Sequence, residues 1–483
     1  MTGAHSSAAT MRQFSSPTAV ILKLALGETP EAMPTVRDVV RRTQVAAQSI
    51  DGNGPIDRIT AELAGEFRAA RLFPAAAHPP SPGATHIGYD AIEHTTGIAR
   101  TLMLRVPAGT PTERLCDALA QVTSVEGVSL NYITQTPFDA GDSPPLPDSA
   151  DGGWDARRMV RMPEALAHEP GDDGVTVGLI DSGINARHPE FARTFRTGFD
   201  TVRLDSGDVA AGIELLGDHL AMDIRPVDLF VGHGMGCAGI IAANGKAMPR
   251  GLGGECRILP MRALAAARMP NAKVVGIGAI SDLDLALKLA VDLGAKIINL
   301  SFGTDDDAIA PHSPKPHAES VAYAIARGCI LIAASGNNGR ETRYWPAAFP
   351  EVIAVGAVSE SRLPAGFSTR GDHVALCAPG QKVLTSGLDG YQLASGTSFA
   401  APFVSGAAAL LVARSHRRAH PIDAATIRRV LVATAQPFAS VGISGCGTGI
   451  LDAAAALEAL DREIDASPGY SAASDADGGA DDG

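Results

Sequence analysis

The hydrophobic rhythm of the chain changes near Trp154. Before it, apolar and polar positions alternate in short runs; after it, continuous β-branched runs are separated by helical patterns. In the first part Thr18 to Leu26 reads as a strand, Val36 to Ala47 as a helix with a basic face, and Asp57 to Leu72 as a second helix. Ile98 to Val106 alternates as a half-buried strand does. Thr112 to Thr123 puts Leu115, Leu119 and Val122 on one helical face, and Val125 to Ile133 reads as a further strand. A small α+β domain is the expectation.

In the second part Val175 to Ile180, Ile258 to Met261, Ile297 to Leu300, Ile330 to Ala334 and Val352 to Val355 are apolar runs without alternation, with helical patterns at Leu283 to Leu293 and Ser320 to Arg327. Strands that are apolar on both sides, with helices between them, predict a parallel sheet covered on both faces. Chemistry then belongs at the carboxyl ends of those strands.

Composition sets the boundaries. Residues 1–17 are small and polar and read as disordered, 18–138 as the α+β domain, and 139–153 (DAGDSPPLPDSADGG) as a flexible connector. The main α/β domain is expected over 154–462 and an acidic disordered tail over 463–483. Phe73 to Gly83 carries prolines that mark a linker or exposed loop.

With 45% hydrophobic and 19% charged residues, the 483-residue chain has the balance of a globular protein with a sizeable core. Its 53 acidic residues against 40 basic ones argue against nucleic acid or an anionic membrane as the main partner. No run reaches the ~18 uninterrupted apolar residues of a membrane span. Thr18 to Leu26, broken by Lys23, lacks the features of a standard signal peptide, which points to the cytoplasm. The six cysteines form no CxxC pair, so buried free thiols are expected rather than a zinc or thioredoxin-type site.

Four polar positions interrupt this pattern where chemistry would sit. Leu393 to Arg414 places Ser398 after Gly396 and before a long apolar helix. Ser398 or Thr397 is either an N-cap of a core helix or a nucleophile whose oxyanion would meet the unpaired amides of a helix start. Asp181 ends the run Val175 to Ile180; alone it reads equally as a turn former. His233 lies among glycines (GHGMGCAG) at the start of an apolar stretch, and Asn337 follows Ile330 to Ala334 in a turn-like GNNG.

Together, in the order Asp181, His233, Asn337, Ser398, these boxes resemble the subtilisin-like serine proteases, the subtilases: DSG after VGLI, HG followed by CAG, GNNG, and GTSFAAPFVSG. The resemblance spans about Trp154 to Leu460 and implies a three-layer subtilisin-like α/β fold. It implies a serine endopeptidase in which Ser398 is the nucleophile, His233 the base and Asp181 its orienting carboxylate, with Asn337 and the Ser398 amide as oxyanion donors. By the same comparison Ser301, Phe302 and Gly303 form one wall of the P1 pocket, Ala334, Ser335 and Gly336 the other, and Gly276, Ile277 and Gly278 the second edge that pairs with an extended peptide. Trp345-Pro346 matches the family's buried turn, where a cis bond is expected.

Some positions depart from the family pattern. Met235 stands where Thr is usual, Phe399 where Met is usual, and the 52-residue interval from Asp181 to His233 implies an insertion over 201–231. Glu190 stands at a calcium-ligand position, but NGKAMPRGLGG replaces the expected Asn-rich loop, so no cofactor is called for and calcium is not indicated. Ile98 to Ile133 resembles the second half of a subtilase propeptide, which implies self-cleavage between Ile133 and Gly153 and an N-terminal domain that inhibits or assists folding. The alternative is a permanently attached domain. Asp305-Asp306-Asp307 reads as a solvated loop, or as a preference for basic P1 residues. A pseudoprotease that binds extended peptides is the rival to an active enzyme, and a dedicated processing role the rival to general degradation.

Overall fold

In the computed structural model, residues 15–30, 32–76, 88–136 and 154–467 are described; the expected connector at 139–153 lies outside them. The N-terminal part holds β1 (Ser15–Leu24), β2 (Arg68–Arg71), β3 (Thr101–Arg105) and β4 (Val125–Gln135), antiparallel in the order β2-β3-β1-β4. Alternation gives β1 two apolar faces. Val20, Leu22 and Leu24 join Leu104, Leu115 and Leu119 in the domain's own core, while Ala19 and Ile21 turn toward the rest of the molecule.

All three predicted helices there are shorter than expected, the third ending at Leu119 rather than Thr123. The first ends at Val40, because Arg42 takes a left-handed conformation (φ 56°) and the Asp38 carbonyl accepts from Thr43 and Gln44. The second spans Pro55–Ala64 and stops at Gly65 (φ 78°), after which the chain extends into β2. The strand begins at Ser15, inside the stretch expected to be disordered, and the last helix runs to Asp465, into the expected tail.

The remaining strands are β5 (Thr176–Asp181), β6 (Phe199–Asp200), β7 (Glu214–Leu216), β8 (Arg257–Arg262), β9 (Ala265–Arg268), β10 (Val274–Ala279), β11 (Ile297–Leu300), β12 (Thr304–Asp305), β13 (Ile330–Ala334), β14 (Tyr344–Trp345), β15 (Ile353–Val358), β16 (Val374–Pro379), β17 (Val383–Ser386) and β18 (Tyr391–Ala394). The central sheet has the order β16-β15-β13-β11-β5-β8-β6, and every pairing in it is parallel.

Its strands are buried on both sides, and residue parity decides the layer. Val177, Leu179, Ile297, Ile330 and Ile332 pack with the helices His233–Ala242 and Thr397–Arg417; Ile180, Ile298, Leu331 and Ala333 pack with the helices Ile280–Asp292 and Ala318–Ala326. The result is the expected three-layer α/β fold. Helix Thr397–Arg417 is long and apolar enough to cross a membrane, yet its apolar window is 94% buried, which marks it as the core helix of this layer.

The N-terminal sheet is not separate. β4 pairs antiparallel with β10 (Ile277 opposite Gln135, Gly278 opposite Thr134), so a second sheet runs β2-β3-β1-β4-β10-β9-β7. Its last strand, β7, comes from the insertion expected at 201–231. Another short turn of that insertion presents Asp208, whose buried carboxylate accepts from the Ser16 and Thr18 hydroxyls (2.6 Å each) and pairs with Arg105 (2.6 Å).

Candidate active site

Three strand ends and two helix starts converge. Asp181 closes β5, and its Oδ1 lies 2.7 Å from His233 Nδ1, with both side chains essentially buried. The same oxygen accepts from the Ser182 amide at 2.7 Å. A carboxylate only accepts, so Nδ1 carries the proton and Nε2 is the basic nitrogen of the ring.

His233 is the first residue of its helix because Gly232 before it turns left-handed (φ 76°), a conformation that favours glycine. Asp228 fixes that turn by accepting from the amides of Phe230, Val231 and Gly232 and from the Ser182 hydroxyl. One turn along the helix, Cys237 approaches Asp181 and His233, the three ligand-type atoms lying within 4.8 Å of one another. Burial, and then the charge of Asp181, push the Cys237 thiol well above its ordinary pKa.

Ser398 is the second residue of the core helix, which starts at Thr397 after Gly396 (φ 148°), and its Oγ donates to the Ser301 carbonyl at 3.2 Å. The Ser398 carbonyl is held in turn by Ser301 Oγ (2.8 Å) and Cys237 Sγ (3.3 Å). Asn337 accepts at Oδ1 from the Thr397 amide (2.7 Å) and hydroxyl (3.0 Å). That leaves the Nδ2 protons as the donors of this amide. The ring of Phe399, the next residue, lies 5.2 Å from that of His233. Asp181, His233, Ser398 and Asn337 thereby lie on the carboxyl-terminal side of the central sheet, around the ends of β5, β11 and β13.

The sequence model described as the subtilase family matches residues 172–464. The chain belongs to the subtilase family. A thermophilic serine proteinase of Bacillus sp. (strain AK1) is 31% identical over 347 residues, 70% of this chain and 72% of that one. Subtilisin BL of Lederbergia lenta is 31% identical over 296 residues, 60% of this chain and 94% of that protein. Among solved structures, a protease of Pseudoalteromonas arctica PAMC 21717 shares the fold (TM-score 0.54, 24% identity, 66% of this chain and all of that one). The prenylagaramide maturation protease PagA aligns at TM-score 0.51 and 27% identity over 62% of this chain and 98% of its own. The subtilase is thus a serine endopeptidase with the family's three-layer fold.

Around the four positions, the departures have structural places. Met235 is fully buried in the core, with its sulfur 3.1 Å from the Asn185 amide. Glu190 accepts from the amides of Lys246 and Ala247 and from the Tyr391 hydroxyl. These donors outweigh burial and hold its carboxyl below the usual range. Trp345–Pro346 is cis, as expected.

Two of the three segments expected to bind substrate, those at Gly276 and Gly303, meet the N-terminal domain. Thr136 donates its amide to the Gly276 carbonyl (2.8 Å), and its hydroxyl accepts from the Gly276 amide (3.1 Å). Thr134 Oγ1 donates to the Gly303 carbonyl at 2.5 Å. The end of β4 therefore lies between the β10 edge and Ser301–Gly303. Beside it, each carboxylate of the acidic triplet is hydrogen-bonded: Asp305 accepts from Asn338, Thr342 and Arg340, Asp306 from Lys315 and Trp345, and Asp307 from Arg340.

Sequence reading missed the supports of the serine. Ser405 Oγ donates to Asn299 Oδ1 (2.9 Å), and Asn299 Nδ2 donates to Ser301 Oγ (2.8 Å), so a buried polar chain ties the core helix to β11 and ends on the Ser398 carbonyl. The signal was present in Asn299 and Ser405, polar residues inside otherwise apolar runs, since such groups persist in a core only when hydrogen-bonded.

Proposed function

We propose that this subtilase cleaves protein substrates through Ser398, His233 and Asp181, and that it is made as a self-processing zymogen. The observation that carries the first part is the buried 2.7 Å pair of Asp181 and His233 beside a serine at a helix start. In this reading His233 Nε2 takes the Ser398 hydroxyl proton as Oγ bonds to the scissile carbonyl carbon. The C–N bond then breaks, and the same proton leaves on the amine. Water repeats the sequence on the acyl-enzyme, again through His233. The Asn337 amide and the Ser398 N–H stabilise the oxyanion, and Asp181 keeps the proton on Nδ1.

The zymogen reading rests on β4, whose Thr134 and Thr136 use the hydrogen-bonding groups of Gly276 and Gly303 that an extended peptide would use. It places self-cleavage between Ile133 and Gly153. A second observation argues that the domain stays on afterwards: Glu93 and Lys288 form a fully buried ion pair (3.0 Å) across the junction. Around that pair Leu72, Phe73 and Ile98 pack in one apolar cluster with Leu283 and Leu287, and separation would expose this surface to water.

Labelling the full chain with a fluorophosphonate tests the site. Wild type should be labelled and Ser398→Ala should not, with casein hydrolysis falling by ~10⁴ or more, a magnitude established on a subtilisin. Equal labelling of both would remove Ser398 from the nucleophile's role.

A further inference from the structure

We infer that Tyr344 fills the P1 pocket of this protease and restricts it to peptide bonds that follow a small residue such as alanine, serine or glycine. The inference rests on the reading above, in which Ser301–Gly303 and Ala334–Gly336 are the two walls of that pocket.

Both walls end in a glycine, and the same ring lies against each. A Cβ placed on Gly303 would fall 2.5 Å from Tyr344 Cδ1 and 3.0 Å from Cε1; one placed on Gly336 would fall 2.8 Å from Cδ2 and 2.9 Å from Cγ. Opposite edges of one ring thus face the two walls, which means the phenol spans the slot from side to side. Substitution at either glycine would be blocked by it, and so would a long P1 side chain. Interiors are packed to a density that leaves no room for a second ring in the same slot.

The ring is held where it is by the backbone. Tyr344 pairs with Asp305 across the two-stranded β12–β14 ladder, and its carbonyl accepts from the Ala348 amide at 2.8 Å. Burial, followed by the nearby charge of Asp305, pushes its hydroxyl up to about 12, so it stays neutral at working pH. The open volume at this place, about 340 Å³, is lined by Gln135, Gly303, Asp305, Arg340 and Tyr344. The Tyr344 ring forms part of its wall.

The acidic triplet gives no competing reason to admit arginine or lysine. Asp305 and Asp307 share Arg340, and Asp306 holds Lys315, so each carboxylate nearest the slot already has a cationic partner, with two cations serving the three. Shape then decides the P1 residue, and a shallow apolar slot discriminates by what it cannot accommodate.

The test uses the full chain, with Ser398-dependent fluorophosphonate labelling as a first readout, and then competition of that labelling by peptide aldehydes differing only at P1. In the wild type an alanine aldehyde should compete at least about tenfold better than its phenylalanine, leucine or arginine counterparts. Tyr344→Gly should reverse the alanine-to-phenylalanine order, and Tyr344→Phe should keep it. A wild type that prefers phenylalanine or arginine overturns the inference whatever the variants do, as does a Tyr344→Gly enzyme that is labelled but retains the alanine preference. Absence of Ser398-dependent labelling in the wild type overturns the protease reading and this inference with it, which separates the two failures.

Discussion

Asn337 illustrates how a single side chain is committed by its neighbours. Its Oδ1 is occupied by Thr397, so rotation of the amide would cost two hydrogen bonds, and Nδ2 is left as its donor. Asn337→Ala should therefore lower kcat by about 10²–10³ and leave KM nearly unchanged, since the donor acts on charge that develops in the transition state; the size is one established on a subtilisin. Equal losses in binding and turnover would assign Asn337 to ground-state positioning instead. Asp282 carries a different consequence. Burial pushes its carboxyl up to about 7, against opposing influences from the Arg203 amide and the charges of Arg105 and Arg203. Because the folded chain retains a proton that the unfolded chain releases near 3.8, stability contributed at this position is greatest at low pH and falls as pH rises toward 7. Asp282→Asn should raise the Tm by at least about 3 °C at pH 8 and by much less at pH 4.5, measured by calorimetry. A gain independent of pH would show that ionisation of Asp282 is not the cause.

Among the elements, those with a strong periodic signal were legible and those set by pairing were not. Ile297–Leu300 and Ile330–Ala334 begin and end where the apolar runs do, because a strand buried on both faces cannot extend into polar sequence without leaving polar groups in the core. Asp181, His233, Asn337 and Ser398 could be picked out because each interrupts such a run beside small or turn-forming residues. The helix expected over Val36 to Ala47 failed for the opposite reason: its apolar spacing is helical, but Thr43 and Gln44 bond back to the Asp38 carbonyl and end it early. β7 and β9 escaped detection, since an edge such as Ala265–Arg268 carries little pattern of its own and exists through its partners, and β10 was expected only through the family resemblance, as the edge at Gly276, Ile277 and Gly278. The β4–β10 pairing, with sequence separation of about 140 residues, has no local signature at all. Tyr344 likewise reads as an ordinary aromatic until its ring is seen between two distant glycines.

At the scale of the whole molecule, the N-terminal domain is bound by more than the strand in the cleft. Asp208 of the insertion, Lys288 of the helix Ile280–Asp292 and Glu319 of the helix Ala318–Ala326 each pair with it, through Arg105, Glu93 and Lys23. Leu72, Phe73 and Ile98 enter the same apolar cluster as Leu283, Leu287 and Leu331. A chain cut after β4 should consequently remain a complex: native mass spectrometry of the processed protein should show both pieces together, and Asp208→Ala should release the smaller one at lower denaturant. Immediate separation on cutting would mean that these pairs are formed only in the uncut chain. The central claim, that Ser398 makes this chain a protease acting first on itself, is tested most directly by denaturing intact-mass spectrometry of the full-length wild type beside Ser398→Ala, before and after incubation with casein. The wild type alone should yield a cut between Ile133 and Gly153 and fragment casein. Both proteins remaining full length beside intact casein would contradict the account.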